Sequence, residues 1–406
     1  MTTKILTFVG HYLPGHKSGG QLRTIANMVD TLSDDFEFWI VTRDRDLGDA
    51  EPYPGVTRNC WNQVGRARVC YVDNEAPFAA IQALIEQTPH DAIYLNSFFD
   101  RRFSILPLML RRFARVSDAP LFLAPRGEFS PGALALKPWR KRAYIFLAGL
   151  LGLYRDATFQ AASEHEKLAI LNVLKLPAEA VEIAIDLPRR YAEAAVPAVV
   201  PTVEESSDQT ATRSVKLVFL SRISRKKNLD FALCVLALVQ ADVSFDIYGP
   251  VEDGEYWAEC RALAKALPAN VRVTYCGDAP AEDVERIFSR YDLFLFPTRG
   301  ESYGQVIGEC LSVGTPVLVS DQTPWLNLAA EGLGWDVPLD APEVFARRID
   351  ELAALDVGQR RQGRERVRAR ARERLSDPKV IEANRALFNS VLRRWRVARG
   401  LPDASA

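Results

Sequence analysis

The sequence predicts an α/β protein built of two parallel-sheet domains, and three observations carry the prediction. Short apolar runs alternate with stretches of helical periodicity over residues 1–190. A stretch rich in Ala, Pro, Val, Glu, Ser and Thr, without a period, follows at residues 191–213 and reads as a linker. The same alternation then resumes over residues 214–377. Strands alternating with helices on both sides of a break call for two parallel sheets, each covered by helices. A chain of 406 residues is also long for a single domain.

The strand-like runs of the first half are Ile5–Val9, Phe36–Thr42, Arg68–Val72, Ala92–Leu95, Leu121–Pro125, Ala157–Ala161 and Glu182–Ile185. A helix pattern is clearest at Leu22, Ile25, Ala26, Val29 and Leu32, which share one face. The second half offers Lys216–Leu220, Ser244–Tyr248, Arg272–Cys276, Leu293–Phe296 and Pro316–Ser320. From about residue 341 the chain is helical and Arg-rich, and its last helix spans about 378–399. The run 360–374 reads as a solvated helix, because its charges are spread around the axis.

Composition narrows the function classes. Hydrophobic residues make up 48 % and charged residues 25 %, with a formal net charge of -1, so nothing global points to nucleic acid. Six scattered cysteines suggest neither a disulfide framework nor a zinc knuckle, and a cytoplasmic location is expected. Met1 to Phe8 enters a strand-like run without the features of a signal peptide, and the apolar run Ala143 to Tyr154 is too short to span a bilayer. The four histidines, His11, His16, His90 and His165, are dispersed along the sequence.

In parallel sheets ligands bind outside the carboxyl ends of the strands, which makes the loops there the place to search. In the second half these are 221–227, 249–253, 277–278, 298–304 and 321–325. Ordinary turn chemistry accounts for any one of them alone. The stretch from Gly300 to Gly304 does more, since it leads from a strand into a helix and presents free N–H groups suited to diphosphate. Glu301 and Glu309 bracket it and would repel phosphate, but carboxylates accept hydrogen bonds from neighbouring sugar hydroxyls. Arg222 and Lys227 supply the positive charge that could stabilise a departing diphosphate. A solvated basic loop is the plainer alternative for that pair.

These residues resemble the retaining GT-B glycosyltransferases of family 4. The likeness rests on Glu301-Ser-Tyr-Gly-Gln-Val-Ile-Gly-Glu309, between Phe296-Pro-Thr-Arg-Gly and Ser312-Val-Gly-Thr-Pro-Val-Leu-Val-Ser-Asp321, and on Arg222 and Lys227 five positions apart. Asn228 stands where the family usually has glycine. The resemblance implies two facing Rossmann-like domains with the active site in the cleft between them. It implies that Glu309 binds ribose, Glu301 the transferred sugar, and Arg222, Lys227 and the backbone of Ser302, Tyr303, Gly304 and Gln305 the diphosphate. Gly277 would lie near the base, and no bound metal or other cofactor is needed. The implied partners are a UDP- or GDP-sugar donor and a saccharide acceptor, with no protein nucleophile assigned.

The first half holds the expected acceptor side. Gly19 and Gly20 sit where the first helix starts, with Ser18 and Gln21 at capping-box spacing, and would let a diphosphate approach closely. Leu123-Ala-Pro-Arg-Gly-Glu-Phe-Ser-Pro-Gly132 resembles a bacterial polysaccharide-assembly subgroup. It makes Arg126 a candidate cleft-facing, catalytic cation and Glu128 a candidate acceptor contact, with simple exposure the alternative for Glu128. Lys137, Arg140, Lys141 and Arg142 precede the apolar run; they suit either an anionic membrane surface and a lipid-linked acceptor, or the solvated start of a buried helix. The triplet Asp44-Arg-Asp46 reads as a solvated turn. A nicotinamide-dependent dehydrogenase is disfavoured, because neither half opens with Gly-x-Gly-x-x-Gly. A non-catalytic saccharide-binding subunit keeping the same fold is the other alternative.

Overall fold

The computed structural model describes residues 2–135, 137–190 and 214–400, so the proposed linker lies outside the described residues. The chain divides into two compact units, Met1–Arg190 with Pro378–Ala406, and Tyr191–Asp377.

The first unit holds strands β1 (Thr3–Phe8), β2 (Phe36–Arg43), β3 (Trp61–Val64), β4 (Ala67–Val72), β5 (Ala92–Leu95), β6 (Leu121–Leu123), β7 (Ala157–Ala161) and β8 (Val181–Ile183). They form one sheet in the order β3-β4-β2-β1-β5-β6-β7-β8. All neighbours are parallel except β3, which pairs antiparallel with β4 at the edge. Its helices are α1 (Gly20–Leu32), α2 (Phe78–Gln87), α3 (Leu106–Met109), α4 (Pro131–Ala135), α5 (Pro138–Leu150) and α6 (Glu164–Leu174). The strand order reverses between β1 and β5, so the loops after those two strands face a natural crevice.

Parallel strands covered on both sides bury a continuous run, and here it is Ile5–Phe8 of β1, Phe38–Thr42 of β2 and all of β5. On α1 the residues Leu22, Ile25, Met28, Val29 and Leu32 are buried at helical spacing, which seats it on the sheet. The helix starts at Gly20 with Gly19 as its N-cap at φ 72°, and no side chain caps it, so the expected Ser18–Gln21 box does not form. A positive φ favours glycine there over serine.

The second unit has a fully parallel sheet of β9 (Val215–Leu220), β10 (Val243–Tyr248), β11 (Val271–Tyr275), β12 (Leu293–Phe296), β13 (Val317–Ser320) and β14 (Gly334–Val337). The order is β11-β10-β9-β12-β13-β14, reversing between β9 and β12. Helices α7 (Leu229–Leu236), α8 (Gly254–Lys265), α9 (Val284–Phe288), α10 (Gln305–Ser312), α11 (Leu328–Glu331), α12 (Pro342–Ala353) and α13 (Val357–Leu375) cover it. The long Arg-rich α13 is not solvated all round. Arg364 is buried on it and donates to the carbonyls of Tyr291 (2.6 Å) and Ser289 (2.8 Å), satisfying chain ends just past α9.

The last helix, α14 (Pro378–Ala398), belongs to the first unit. Its Phe388 ring lies 5.1 Å from that of Phe36 and 4.9 Å from that of Phe122. Leu387, Val391 and Leu392 are buried beside it in the same core. Arg385 pairs with Asp35 and Arg394 with Glu182 around this apolar contact.

Candidate functional site

The second unit brings two loops together at its sheet reversal. One follows β9 and carries Arg222 and Lys227, and the other follows β12 and carries Thr298 to Gly304. Backbone and side-chain bonds zip them: Arg299 N–H donates to Lys226 O (2.9 Å) and Thr298 Oγ1 to the same carbonyl (3.2 Å). Glu301 N–H donates to Gln322 O (3.1 Å), which ties in the loop after β13. Gly249, after β10, is required by contact, since a Cβ there would stand 2.0 Å from Ser221 O. Gly277 O accepts from Gly249 N–H (2.8 Å), so the loop after β11 joins the same edge.

At the centre Lys227 Nζ lies 2.6 Å from Glu301 Oε1, which also accepts from Thr298 Oγ1 at 2.9 Å. The two side chains are only 12 % and 11 % exposed, so this is a desolvated pair. Burial lowers the Lys227 pKa against the pull of Glu301. For Glu301 burial works the other way, yet the Lys227 ammonium, aided by Lys226 and the hydrogen bonds, outweighs it and holds the carboxyl below its usual range.

Asn228 explains how the lysine is held. It takes the left-handed conformation (φ 62°, ψ 40°) as N-cap of α7, the geometry that a glycine would supply, and asparagine tolerates it. Unlike glycine it also reaches across. Its Nδ2 donates to Pro297 O (2.8 Å) and its Oδ1 accepts from Arg299 Nε (2.7 Å), linking the cationic loop to the acidic one. Asn228→Gly keeps the backbone but loses both links. One neutral and one charge-assisted hydrogen bond are worth a few kcal/mol at most, and we expect about tenfold lower kcat with the fold intact. Steady-state kinetics with circular dichroism checks this.

The remaining predicted donor residues fall around the pair. Ser302, Tyr303 and Gly304 lead into α10, whose N-cap Gly304 sits at φ 81°. Trp325 Nε1 donates to Tyr303 O (2.7 Å), fixing the turn, and Gln305 opens the helix. Glu309 is buried at 6 % exposure, one turn further along α10. Arg222 is half-buried on the β9 loop and directs its guanidinium to Glu252 at 2.9 Å. Ser302 to Gln305 thus stand at the N-terminus of α10, the end of a helix whose dipole favours an anion.

The first unit corrects three expectations. Arg126 is no cleft-facing cation. Its side chain is 3 % exposed, ion-paired with the buried Asp186, and donates to Asn96 Oδ1 (2.7 Å) and Tyr94 OH (2.5 Å). Glu128 is neither exposed nor free to grip an acceptor, because it accepts from Ser97 Oγ (2.7 Å), Phe98 N–H (2.6 Å) and Phe99 N–H (3.1 Å). It shapes the loop after β5 instead. Asp44 and Asp46 are buried, and Asp46 Oδ2 accepts from His16 N–H (2.7 Å) and Lys17 N–H (3.1 Å). The triplet is therefore an anchor for the loop that runs into Gly19 and Gly20. A Cβ on Gly20 would meet nothing within 4 Å, so packing within the chain does not require that glycine.

The helix after the basic segment also differs from the buried alternative. Only Ala148 is buried on α5, while Trp139, Phe146 and Leu150 are 68 %, 69 % and 73 % exposed. Lys141 Nζ donates to Ala133 O (2.7 Å), and Lys137, Arg140 and Arg142 are exposed. Among the described residues no group of three or more His, Cys, Asp or Glu is placed to hold a metal ion, and no helix is long and apolar enough to cross a membrane.

Thr298, Asn228 and Asp46 escaped the sequence reading as site residues. Asn228 had a signal, since asparagine in place of a glycine points to a left-handed residue; the other two had none.

Two Rossmann-like units with a ligand edge of this kind define the class, the GT-B fold. A crystal structure of Anabaena HepE in complex with UDP and glucose matches with a TM-score of 0.68 at 17 % identity, over 96 % of this chain and 99 % of that one. WaaG, described as a glycosyltransferase involved in lipopolysaccharide biosynthesis, matches with a TM-score of 0.65 at 14 % identity, over 94 % and 99 %. Residues 203–374 match the family model described as glycosyl transferases group 1. An uncharacterized 41.2 kDa protein in the cps region of Klebsiella pneumoniae is 22 % identical over 198 residues, which is 48 % of this chain. The chain spans about half the length, 51 %, of that curated relative.

Proposed function

We propose that the chain transfers a sugar, with retention, from a UDP- or GDP-sugar to a lipid-linked saccharide in cell-surface polysaccharide biosynthesis. The observation that carries the reading is the Lys227–Glu301 pair, desolvated at the β9/β12 reversal beside the N-terminus of α10. Glu301 and Glu309 take the hexose and ribose hydroxyls, while Arg222, Lys227 and the Ser302–Gln305 backbone take the diphosphate. The bond from the anomeric carbon to the diphosphate oxygen breaks, and the acceptor oxygen bonds to that carbon. The acceptor's proton passes to the departing phosphate oxygen. Charge growing on that oxygen is met by Arg222, Lys227 and the helix start, with no metal ion assigned. HepE with UDP and glucose and WaaG in lipopolysaccharide biosynthesis support this choice of chemistry. The exposed Lys137, Arg140 and Arg142, with the half-buried Lys141 beside them, suit an anionic membrane surface at the inner face of the plasma membrane.

A thermal-shift screen of the full chain against a panel of nucleotide sugars tests the reading. A donor at about a hundredfold excess over its Kd stabilises by roughly 2.7 kcal/mol, and at least one UDP- or GDP-sugar should raise the unfolding midpoint by several degrees. A shift by NAD and by no nucleotide sugar would sink it.

A further inference from the structure

The surface of α5 and α6 in the first unit gathers large apolar side chains that stand exposed. An open groove of about 1230 Å³ runs there, lined by Leu134, Ile145, Phe146, Leu150, Tyr154 and Leu168 among others. Phe146, Leu150 and Leu168 are more than half exposed at 69 %, 73 % and 56 %, and Trp139 and Leu147 stand beside them at 68 % and 52 %. So many large apolar side chains on one face expose a surface that water disfavours.

Charge decides what covers it. No acidic residue occurs between Glu128 and Asp156, while Lys137, Arg140, Lys141, Arg142 and Arg155 all fall in that interval. Arg142, His165 and Lys175 also line the groove. A second copy of the chain, paired about a two-fold axis, would set these cations against their own images. An anionic bilayer offers the complement of both features: lipid phosphates for the cations and hydrocarbon for the apolar face.

We propose that α5 and α6 form a membrane-docking site, with the groove taking a hydrocarbon chain of an anionic phospholipid and Lys137 to Arg142 lying among the headgroups. Trp139, exposed and next to Arg140, whose guanidinium lies 5.2 Å from its ring, sits at the depth where aromatic rings partition between headgroups and chains. The site gives the lipid-linked acceptor of the proposed function a place on the chain and rests on that reading for its purpose. It is measured without turnover, however, so the two can fail separately.

The test is co-sedimentation of the full chain with vesicles of mixed phosphatidylglycerol and phosphatidylcholine, against vesicles of phosphatidylcholine alone. The chain should pellet with the anionic vesicles, and brominated acyl chains should quench its fluorescence by an amount that Trp139→Phe removes. The double variant Phe146→Ser, Leu150→Ser should lower the partition coefficient by at least about tenfold, as two buried side chains are lost. Its unfolding midpoint and its donor-induced thermal shift should hold, because both residues are exposed. Arg140→Glu with Arg142→Glu should abolish the preference for anionic lipid. Protein left in the supernatant with anionic vesicles would overturn the proposal. So would pelleting unchanged by Phe146→Ser, Leu150→Ser, or a vesicle-free dimer that the same double variant dissolves, which would give the face to a second copy.

Discussion

Lys227→Ala should lower turnover of the correct UDP- or GDP-sugar by about 100-fold or more, with most of the loss in kcat. The ammonium lies 2.6 Å from Glu301 Oε1 on a side chain only 12 % exposed, so water replaces it poorly. Its removal also leaves the Glu301 carboxylate desolvated, with Thr298 Oγ1 still donating to it at 2.9 Å. Arginine is no substitute, because its planar fork does not fit a site shaped for a point charge. Arg222→Ala should show a loss of the same kind through the diphosphate, although its guanidinium is half exposed beside Glu252. Hydrolysis of the donor by the full chain, measured at saturation and at low concentration, separates the kcat and KM parts. Unchanged turnover in both variants would remove these two residues from the reaction.

Arg126→Met should destabilise the first unit by about 3–5 kcal/mol, the effect of breaking a buried ion pair by removing one partner. Asp186 is 2 % exposed and would keep only its bond from Thr24 Oγ1 at 3.1 Å. The loss spreads further, because Tyr94 OH receives from Arg126 and donates to Gln160 Oε1 at 2.6 Å, and Gln160 in turn reaches Ala184 O and Asn384 Oδ1. One guanidinium thus supports β5, β7, the chain after β8 and α14 together. Urea denaturation followed by tryptophan fluorescence reads the shift. A double variant, Arg126→Met with Asp186→Leu, should recover much of it, since no charge is then buried alone.

The fold was legible because parallel strands buried on both faces are apolar runs, such as Leu293–Phe296, that no helix period explains. Two strands escaped for the converse reason. Trp61–Val64 is a short edge strand with two polar residues, and Gly334–Val337 opens on glycine and carries an aspartate, so neither shows a run. Gly334 is forced by packing, since a Cβ there would stand 2.0 Å from Val317 O, a contact that sequence cannot display. The motif from Glu301 to Glu309 was legible because its residue types and spacing lie along one loop and helix. Arg126 and Glu128 misled because a polar loop at a strand end reads alike whether its side chains face solvent or fold inward. Only the partners decide, and Asp186, Ser97 and Asn96 lie up to 60 positions away. The same limit hid Asp46, whose partners His16 and Lys17 lie about 30 positions upstream.

The placement of α14 has a consequence for how the chain is made. Residues 191–377 form the second unit, and Phe388, which lies against Phe36 and Phe122 in the first, is translated after all of them. On the ribosome the aromatic core of the first unit therefore lacks one wall until the second has been synthesised. Nascent domains usually finish in the order of their synthesis. Here the unit begun first is the one completed last.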